Sequence, residues 1–157
     1  MVNSLSDKKL LFVRICGTGM SSAALMAQKS GAVVSGVDNA FHPPVSDILE
    51  RAEIKCFPME NFSDIMEANP PDMLIVGNAL SGRSKEADII RKTSINVYSM
   101  PSFLETFLIG DKKSVVVAGT HGKSTTSTMI SEYLFNSGSS PSYFIGALTG
   151  FSGTNAE

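Results

Sequence analysis

"LLFVRICGTGMSSAALMAQKSGAVVSGVD", residues 10–38, decides the fold because it contains two strand-like runs around one helix-like run. "LLFVRI" (10–15) is short, apolar and rich in β-formers. "GMSSAALMAQKSG" (19–31) places Met20, Ala23, Ala24 and Ala27 on one helical stripe and stops at Gly31. "AVVSGVD" (32–38) is apolar again. Two strands joined through a helix lie parallel, and the crossover between them is right-handed.

The alternation continues outward. "PVSDILERA" (44–52) reads as a helix with Pro44 near its first turn, "IKCF" (54–57) as a strand and "FSDIMEA" (62–68) as a short helix. "DMLIVGNA" (72–79) is apolar enough for a strand buried on both faces. "SKEADIIRK" (84–92) is helical, "INVYS" (95–99) is a fifth strand, and "PSFLETFLI" (101–109) is a helix started by proline. This pattern predicts an α/β fold, an open parallel Rossmann-like sheet with helices on both faces, as one domain over residues 1–109. "GDKK" (110–113) is a polar break. Residues 110–157 then restart the pattern, with "SVVVAG" (114–119) as a strand, "KSTTSTMISEYLFNSG" (123–138) as a helix and "SYFIG" (142–146) as a strand. They predict the first βαβ part of a second, P-loop domain that is incomplete. The tail "ALTGFSGTNAE" (147–157) has no periodicity.

Bulk properties exclude several classes. Of 157 residues, 43% are hydrophobic and 18% charged, which is globular rather than disordered. Thirteen Lys+Arg against fifteen Asp+Glu leave −2, so no basic field draws in nucleic acid or an anionic membrane. A polyanionic ligand must be held by local geometry. Cys16 and Cys56 make no disulfide framework and read as small buried hydrophobes, which suits a reducing cytoplasm. The early apolar stretch is interrupted by Arg14 and lacks a small-residue cleavage site, so no signal peptide is expected. No run approaches the roughly 18 apolar residues of a membrane span.

Two glycine turns carry the chemistry. In "CGTGMSS", Gly17, Gly19 and Ser22 occupy the three positions of G-x-G-x-x-G, and Asp38 ends the second strand. Gly17 permits a tight turn, Gly19 lets a phosphate reach the backbone, and a small residue at 22 lets helix and strand pack closely. Exposed N–H groups and the helix dipole favour an anion there. Asp38 either accepts hydrogen bonds from a ribose or base or is a loop acid or cap. By itself this turn says only that some nucleotide, NAD among them, is bound, or that a glycine turn serves packing.

The second turn, "GTHGKST" (119–125), meets the P-loop pattern at Gly122, Lys123 and Ser124, but Val117 stands where its first glycine belongs. Backbone N–H groups of Gly119, Thr120, His121, Gly122 and Thr125 are placed to surround phosphates. Lys123 can neutralise them, and the Ser124 hydroxyl can ligate Mg²⁺. A lysine facing such a nest has no packing purpose. His121 either meets a nucleotide or acyl phosphate or is simply solvated. Thr125 and Thr126 either support the magnesium shell or are ordinary first-turn residues.

"AGTHGKSTT" (118–126) resembles the ATP-binding loop of the Mur ligases, ATP-dependent amide-forming enzymes of peptidoglycan synthesis, whose P-loop lacks the usual first glycine. "FVRICGTGMSSAALMAQKSGAVVSGVD" (12–38) resembles their UDP-binding domain. "FHPPVSDILE" (41–50) and "LIVGNALSGRSKE" (74–86), with Gly77-Asn78 in place of a serine pair, are similar to the murein-recycling branch. The serines of "MSS" depart from that branch and keep the branch that adds L-alanine open. The resemblance implies ATP and Mg²⁺ as cofactors, and it implies as partners UDP-N-acetylmuramate and a peptide or amino-acid amine joined through an acyl phosphate. It implies Lys123 and His121 as catalytic residues and Ser124 as the metal ligand. It also implies a UDP-sugar site at Gly17, Thr18, Gly19, Met20, Ser21, Asp38, His42 and Asn78. Arg83 and Lys85 either approach phosphates or form a solvated helix start. Such a ligase continues beyond a chain of this length, so the chain is expected to be its N-terminal, UDP-binding part, inactive alone and at risk of self-association. Competing readings are an NAD-binding Rossmann protein, which has no use for Lys123, a folylpolyglutamate-synthase-like ligase, which needs no preceding UDP domain, and a non-catalytic nucleotide-binding module.

Overall fold

The structure, a computed structural model, describes residues 4–146. Five strands, β1 (Lys9–Val13), β2 (Val33–Asp38), β3 (Lys55–Pro58), β4 (Met73–Val76) and β5 (Asn96–Ser99), form one sheet in the order β3-β2-β1-β4-β5. Every neighbouring pair is parallel. The chain winds outward from β1 to one edge, then crosses back to the other side, so the strand order reverses between β1 and β4. Val13 is in register with both Val37 and Val76, so the three central strands end level. That shared C-terminal edge, at the reversal, is where open α/β sheets form a ligand crevice.

Strand side chains alternate, and the two faces of β1 build two cores. Leu10 and Phe12 pack with Val34, Met73 and Ile75 beneath Ala23, Ala24 and Ala27 of helix α1 (Thr18–Lys29). Leu49 of α2 (Val45–Arg51) joins the same core. Leu11 and Val13 point the other way, with Val37 and Leu74, against Phe62 at the start of α3 (Phe62–Ala68) and Ile89 and Ile90 of α4 (Lys85–Lys92). Alanines on α1 let that helix lie close to the strands. On the first face Phe12 meets Phe103 edge-on at 5.7 Å, and Phe103 stacks 5.3 Å from Phe107. Ser84 caps α4 by accepting from the Ala87 N–H at 3.2 Å, with Glu86 and Asp88 in the first turn and Arg91 and Lys92 in the last, matching the dipole.

Three expectations change. The helix predicted over 101–109 is two pieces, α5 (Met100–Phe103) and a π-helical turn over Leu104–Ile109 that ends at Gly110. The wider turn brings both Phe107 and Leu108 into the core. The strand predicted over 114–119 does not form; Val115 and Val116 are 72% and 84% exposed. Apolar β-formers make a strand only beside another strand, and none among the described residues lies next to them. The strand predicted over 142–146 reduces to a single bridging residue, Phe144, between buried Tyr143 and Ile145. The intervening helix, α6 (Lys123–Asn136), forms as predicted, with Met129 and Tyr133 exposed and Ser131 buried. The tail 147–157 lies outside the described residues. No helix among the described residues is long and apolar enough to cross a membrane.

Candidate functional site

A cleft of about 480 Å³ opens at the C-terminal edge of the sheet. Its walls are the ends of four strands and the segments that follow them: Arg14, Cys16, Gly17, Gly19 and Met20 after β1, Asp38 at the end of β2 with Asn39, Ala40 and His42 after it, Gly77, Asn78 and Ala79 after β4, and Met100 after β5. The volume is within the range of small-ligand sites, and the position is the strand-order reversal. Of the eight residues expected to meet a UDP-sugar, six line this one cleft: Gly17, Gly19, Met20, Asp38, His42 and Asn78.

The start of α1 is open towards an anion. Gly17 is its N-cap, no side chain caps it, and its first turn contains no acid. The first helical hydrogen bond runs from the Ser21 N–H to the Gly17 carbonyl at 2.9 Å. The N–H groups of Thr18, Gly19 and Met20 therefore have no acceptor within the helix. Ser21 corrects the sequence expectation, because it takes no part in the cleft wall. Its hydroxyl donates to the Thr18 carbonyl at 3.0 Å and its side chain is buried. Four residues beyond the N-cap, the helix has already turned Ser21 inward. Thr18 stands exposed at the first turn, its carbonyl taking the hydroxyls of both Ser21 and Ser22.

The glycines divide differently from expectation. Gly17 has φ −65° and ψ 137°, which any residue adopts, so the tight turn does not need it. A Cβ there would find its nearest neighbour at 3.7 Å, and one on Gly19 would meet the Met100 Cε at 3.4 Å and the Phe144 Cζ at 3.6 Å, ordinary contacts. Packing thus requires neither glycine. The close approach that does require a glycine is at Gly36 of β2, where a Cβ would lie 2.4 Å from the Cδ1 of Ile15 in the turn that follows β1. The left-handed residue of the turn is Arg14, at φ 70°. Its N–H and that of Ile15 both donate to the Val37 carbonyl, at 2.9 and 3.3 Å.

Asp38 is nearly enclosed. Its carboxylate accepts from the Cys16 N–H at 2.8 Å and the Asn39 N–H at 2.7 Å, and it pairs with the Arg14 Nη1 at 2.9 Å. Three of about four acceptor sites are filled, so its main work is to tie the glycine turn to the end of β2. Burial, reinforced by the Asp38 charge, pushes the Cys16 thiol up to about 12, and burial raises Cys56 as well. Both thiols are free and protonated near neutrality. Arg83 and Lys85 lie exposed at the start of α4, outside the cleft wall.

The second glycine turn is a separate place. Gly119, Thr120, His121, Gly122, Lys123, Ser124 and Thr125 are all exposed and none lines the cleft. Gly122 is the N-cap of α6 at φ 76°, a left-handed conformation that favours glycine, again with no side-chain cap and no acid in the first turn. The Lys123 ammonium folds over the loop, donating to the Gly119 carbonyl at 2.7 Å and the Thr120 carbonyl at 3.3 Å. A fixed cation over an uncapped helix start fits a phosphate group, and the Ser124 hydroxyl beside it is a hard oxygen donor of the kind Mg²⁺ takes.

Arg14 and Met100 were not foreseen as site residues. The signal for Arg14 was a charge at the end of an otherwise apolar strand; for Met100 it was position alone, directly after β5.

Comparison with known proteins agrees with this geometry. Residues 9–111 match the Mur ligase family, catalytic domain. The chain is 33% identical over 150 residues to the UDP-N-acetylmuramate–L-alanyl-γ-D-glutamyl-meso-2,6-diaminoheptandioate ligase of Haemophilus influenzae, covering 96% of this chain and 33% of that protein. It is 38% identical over 146 residues to the UDP-N-acetylmuramate–L-alanine ligase of Desulfitobacterium hafniense, covering 92% and 31%. Among solved structures it superposes on a murein peptide ligase from Psychrobacter arcticus with a TM-score of 0.80 at 33% identity, over 88% of this chain and 28% of that one. The corresponding Neisseria ligase gives 0.88 at 28% identity, over 96% and 46%. The chain thus spans about a third of the length of the curated relatives it matches. With the family profile covering the whole five-stranded sheet, the chain belongs to the Mur ligase family.

Proposed function

We propose that this chain is the sugar-nucleotide-binding part of an ATP-dependent amide ligase of peptidoglycan recycling, holding UDP-N-acetylmuramate for coupling to a peptide amine. The observation that carries the reading is the cleft at the α1 start. Its N–H groups are unfilled, and its two glycines are explained by neither backbone strain nor packing. Glycine at such positions suits a ligand that must touch the backbone. Gly17, Gly19 and Met20 would present N–H groups to the diphosphate, while His42 and Asn78 stand on the walls for the uridine and sugar.

Lys123 and Ser124 would hold the phosphates and Mg²⁺ of ATP at the second turn, with His121 beside them. When bound, MgATP would supply a γ-phosphoryl group to the carboxylate oxygen with release of ADP, giving the acyl carbon a phosphate leaving group for the amine to displace. The residues of this chain contribute charge neutralisation and positioning. Residues 1–109 then form the UDP-binding domain, and 110–157 open the ATP-binding one. Addition of L-alanine rather than a peptide is the second reading, favoured by the 38% identity to an alanine ligase.

Thermal shift tests the proposal. Ligand at 100 times its Kd stabilises the fold by about 2.7 kcal/mol. UDP-N-acetylmuramate raises the melting midpoint and NAD does not; the reverse result assigns the cleft to a dinucleotide and overturns the ligase reading.

A further inference from the structure

The cleft contains an arginine that the fold does not ask for. Arg14 occupies the left-handed region at φ 70°, where glycine would sit without strain and a long side chain is disfavoured. Strained residues of this kind cluster at functional sites. Its side chain is 24% exposed and lines the cleft beside Gly17 and Gly19. Among the described residues the guanidinium makes one ion pair, through Nη1 to Asp38, and its Nε is buried without an acceptor. A five-donor fork is thus only partly used.

Charge explains what the arrangement achieves. Asp38 places a carboxylate in the wall of a cleft that otherwise offers N–H groups to an anion. Alone, that carboxylate would repel a phosphate. Among the described residues lining the cleft, Arg14 carries the one fixed positive charge, and its pairing with Asp38 cancels the repulsion while leaving donors free. Asp38, in turn held by the Cys16 and Asn39 N–H groups, fixes the direction of the guanidinium. Planar, fixed guanidinium groups suit phosphate oxygens better than a lysine's point charge does.

We propose that Arg14 is the cationic anchor of the cleft, binding the phosphate oxygens of the sugar nucleotide beside the N–H groups of Gly19 and Met20. This rests on the reading of the cleft as a UDP-sugar site. The test is isothermal titration of the wild-type chain, Arg14→Gly and Arg14→Lys with UDP and with uridine, at low and high salt. The wild type binds UDP. Arg14→Gly loses at least tenfold in UDP affinity, keeps its uridine affinity and flattens the salt dependence, and Arg14→Lys falls between. Since glycine suits φ 70°, the far-UV circular dichroism of Arg14→Gly stays that of the wild type. Should that variant not fold, Arg14→Lys carries the same comparison, with a loss confined to UDP. Equal UDP affinity in the wild type and the variant overturns the proposal alone. Equal losses for UDP and uridine also overturn it, by showing that Arg14 shapes the cleft through Asp38 rather than touching phosphate. Failure of the wild type to bind UDP removes both the proposal and the reading beneath it.

Discussion

Two glycine-to-alanine substitutions separate packing from ligand contact. At Gly36 an added Cβ would lie 2.4, 2.7 and 2.8 Å from the Cδ1, Cβ and Cγ2 of Ile15, which is fully buried. Carbon atoms prefer about 3.5–4.0 Å, so the overlap approaches 1 Å and no flexible chain end can yield. Overpacking of this kind costs about 1–3 kcal/mol, a large share of a stability of about 5–15 kcal/mol. At Gly19 the new Cβ meets only the Met100 Cε at 3.4 Å and the Phe144 Cζ at 3.6 Å, and the methionine methyl can shift. Alanine is favoured over glycine in a helix interior by about 0.8–1.0 kcal/mol and by less in a first turn, so Gly19→Ala, at the second residue of α1, should leave the fold at least as stable. Under the proposed reading its methyl would crowd a phosphate brought against the backbone, and UDP affinity should fall by about tenfold or more, the equivalent of about 1.4 kcal/mol. Denaturant unfolding and titration calorimetry read both quantities on the same samples. Expected is an exchange of effects: Gly36→Ala loses stability, and Gly19→Ala loses ligand. Undiminished UDP binding by Gly19→Ala would refute the assignment of that glycine to a phosphate, and a neutral Gly36→Ala would refute the packing account.

Further outcomes follow from the same geometry. Lys123→Ala, at an exposed residue bonded only to loop carbonyls, should change stability by less than about 0.5 kcal/mol and leave UDP binding intact while weakening any triphosphate binding; a loss of UDP affinity would show that the two turns form one site. Cys16, raised to about 12 from an ordinary value of 9.0, should react with iodoacetamide at pH 8 far more slowly in the native chain than after unfolding. The native state keeps that proton while the unfolded state loses it between pH 9 and 12, so stability from this group should decline across that interval; fast native alkylation would contradict the burial assigned to it. Incubated with MgATP, UDP-N-acetylmuramate and peptide, the 157-residue chain should release no phosphate above background, and measurable ligation would overturn the view that its exposed second turn is unfinished as a catalytic site.

The sheet was legible because its signals are local and redundant. Leu10 to Val13 is apolar on both faces, Ala23, Ala24 and Ala27 repeat at helical spacing, and short polar loops separate the runs. Each of the five strands was recovered with its ends displaced by a few residues, since the sequence marks periodicity better than it marks the last hydrogen bond. What was legible of the cleft is part of its lining, since Gly17, Gly19 and Asp38, singled out by the fingerprint, lie in its wall. The site was not legible at Ser21, whose direction depends on where the helix starts, or at Arg14, whose left-handed backbone is a property of how β1 leaves the sheet over Val37. No residue-type rule places an arginine there.

The two glycine turns also show why motif strength and site completeness are different quantities. The second turn is the closer motif match, down to its lysine and serine, yet all seven of its residues are exposed. The first matches its fingerprint imperfectly, and it sits in a walled cleft. A glycine motif encodes only a local backbone path and a helix start. Walls come from elsewhere, here from the ends of β2, β4 and β5, brought level by the register of Val13 with Val37 and Val76. Around α6 no such strands stand among the described residues, and Val115 and Val116 before it remain in solvent. An uncapped helix start binds an anion firmly only when neighbouring strands exclude water and fix the ligand's other end. On that ground the first turn should bind its nucleotide in this chain as it stands, while the second depends on structure supplied around residues 114–118.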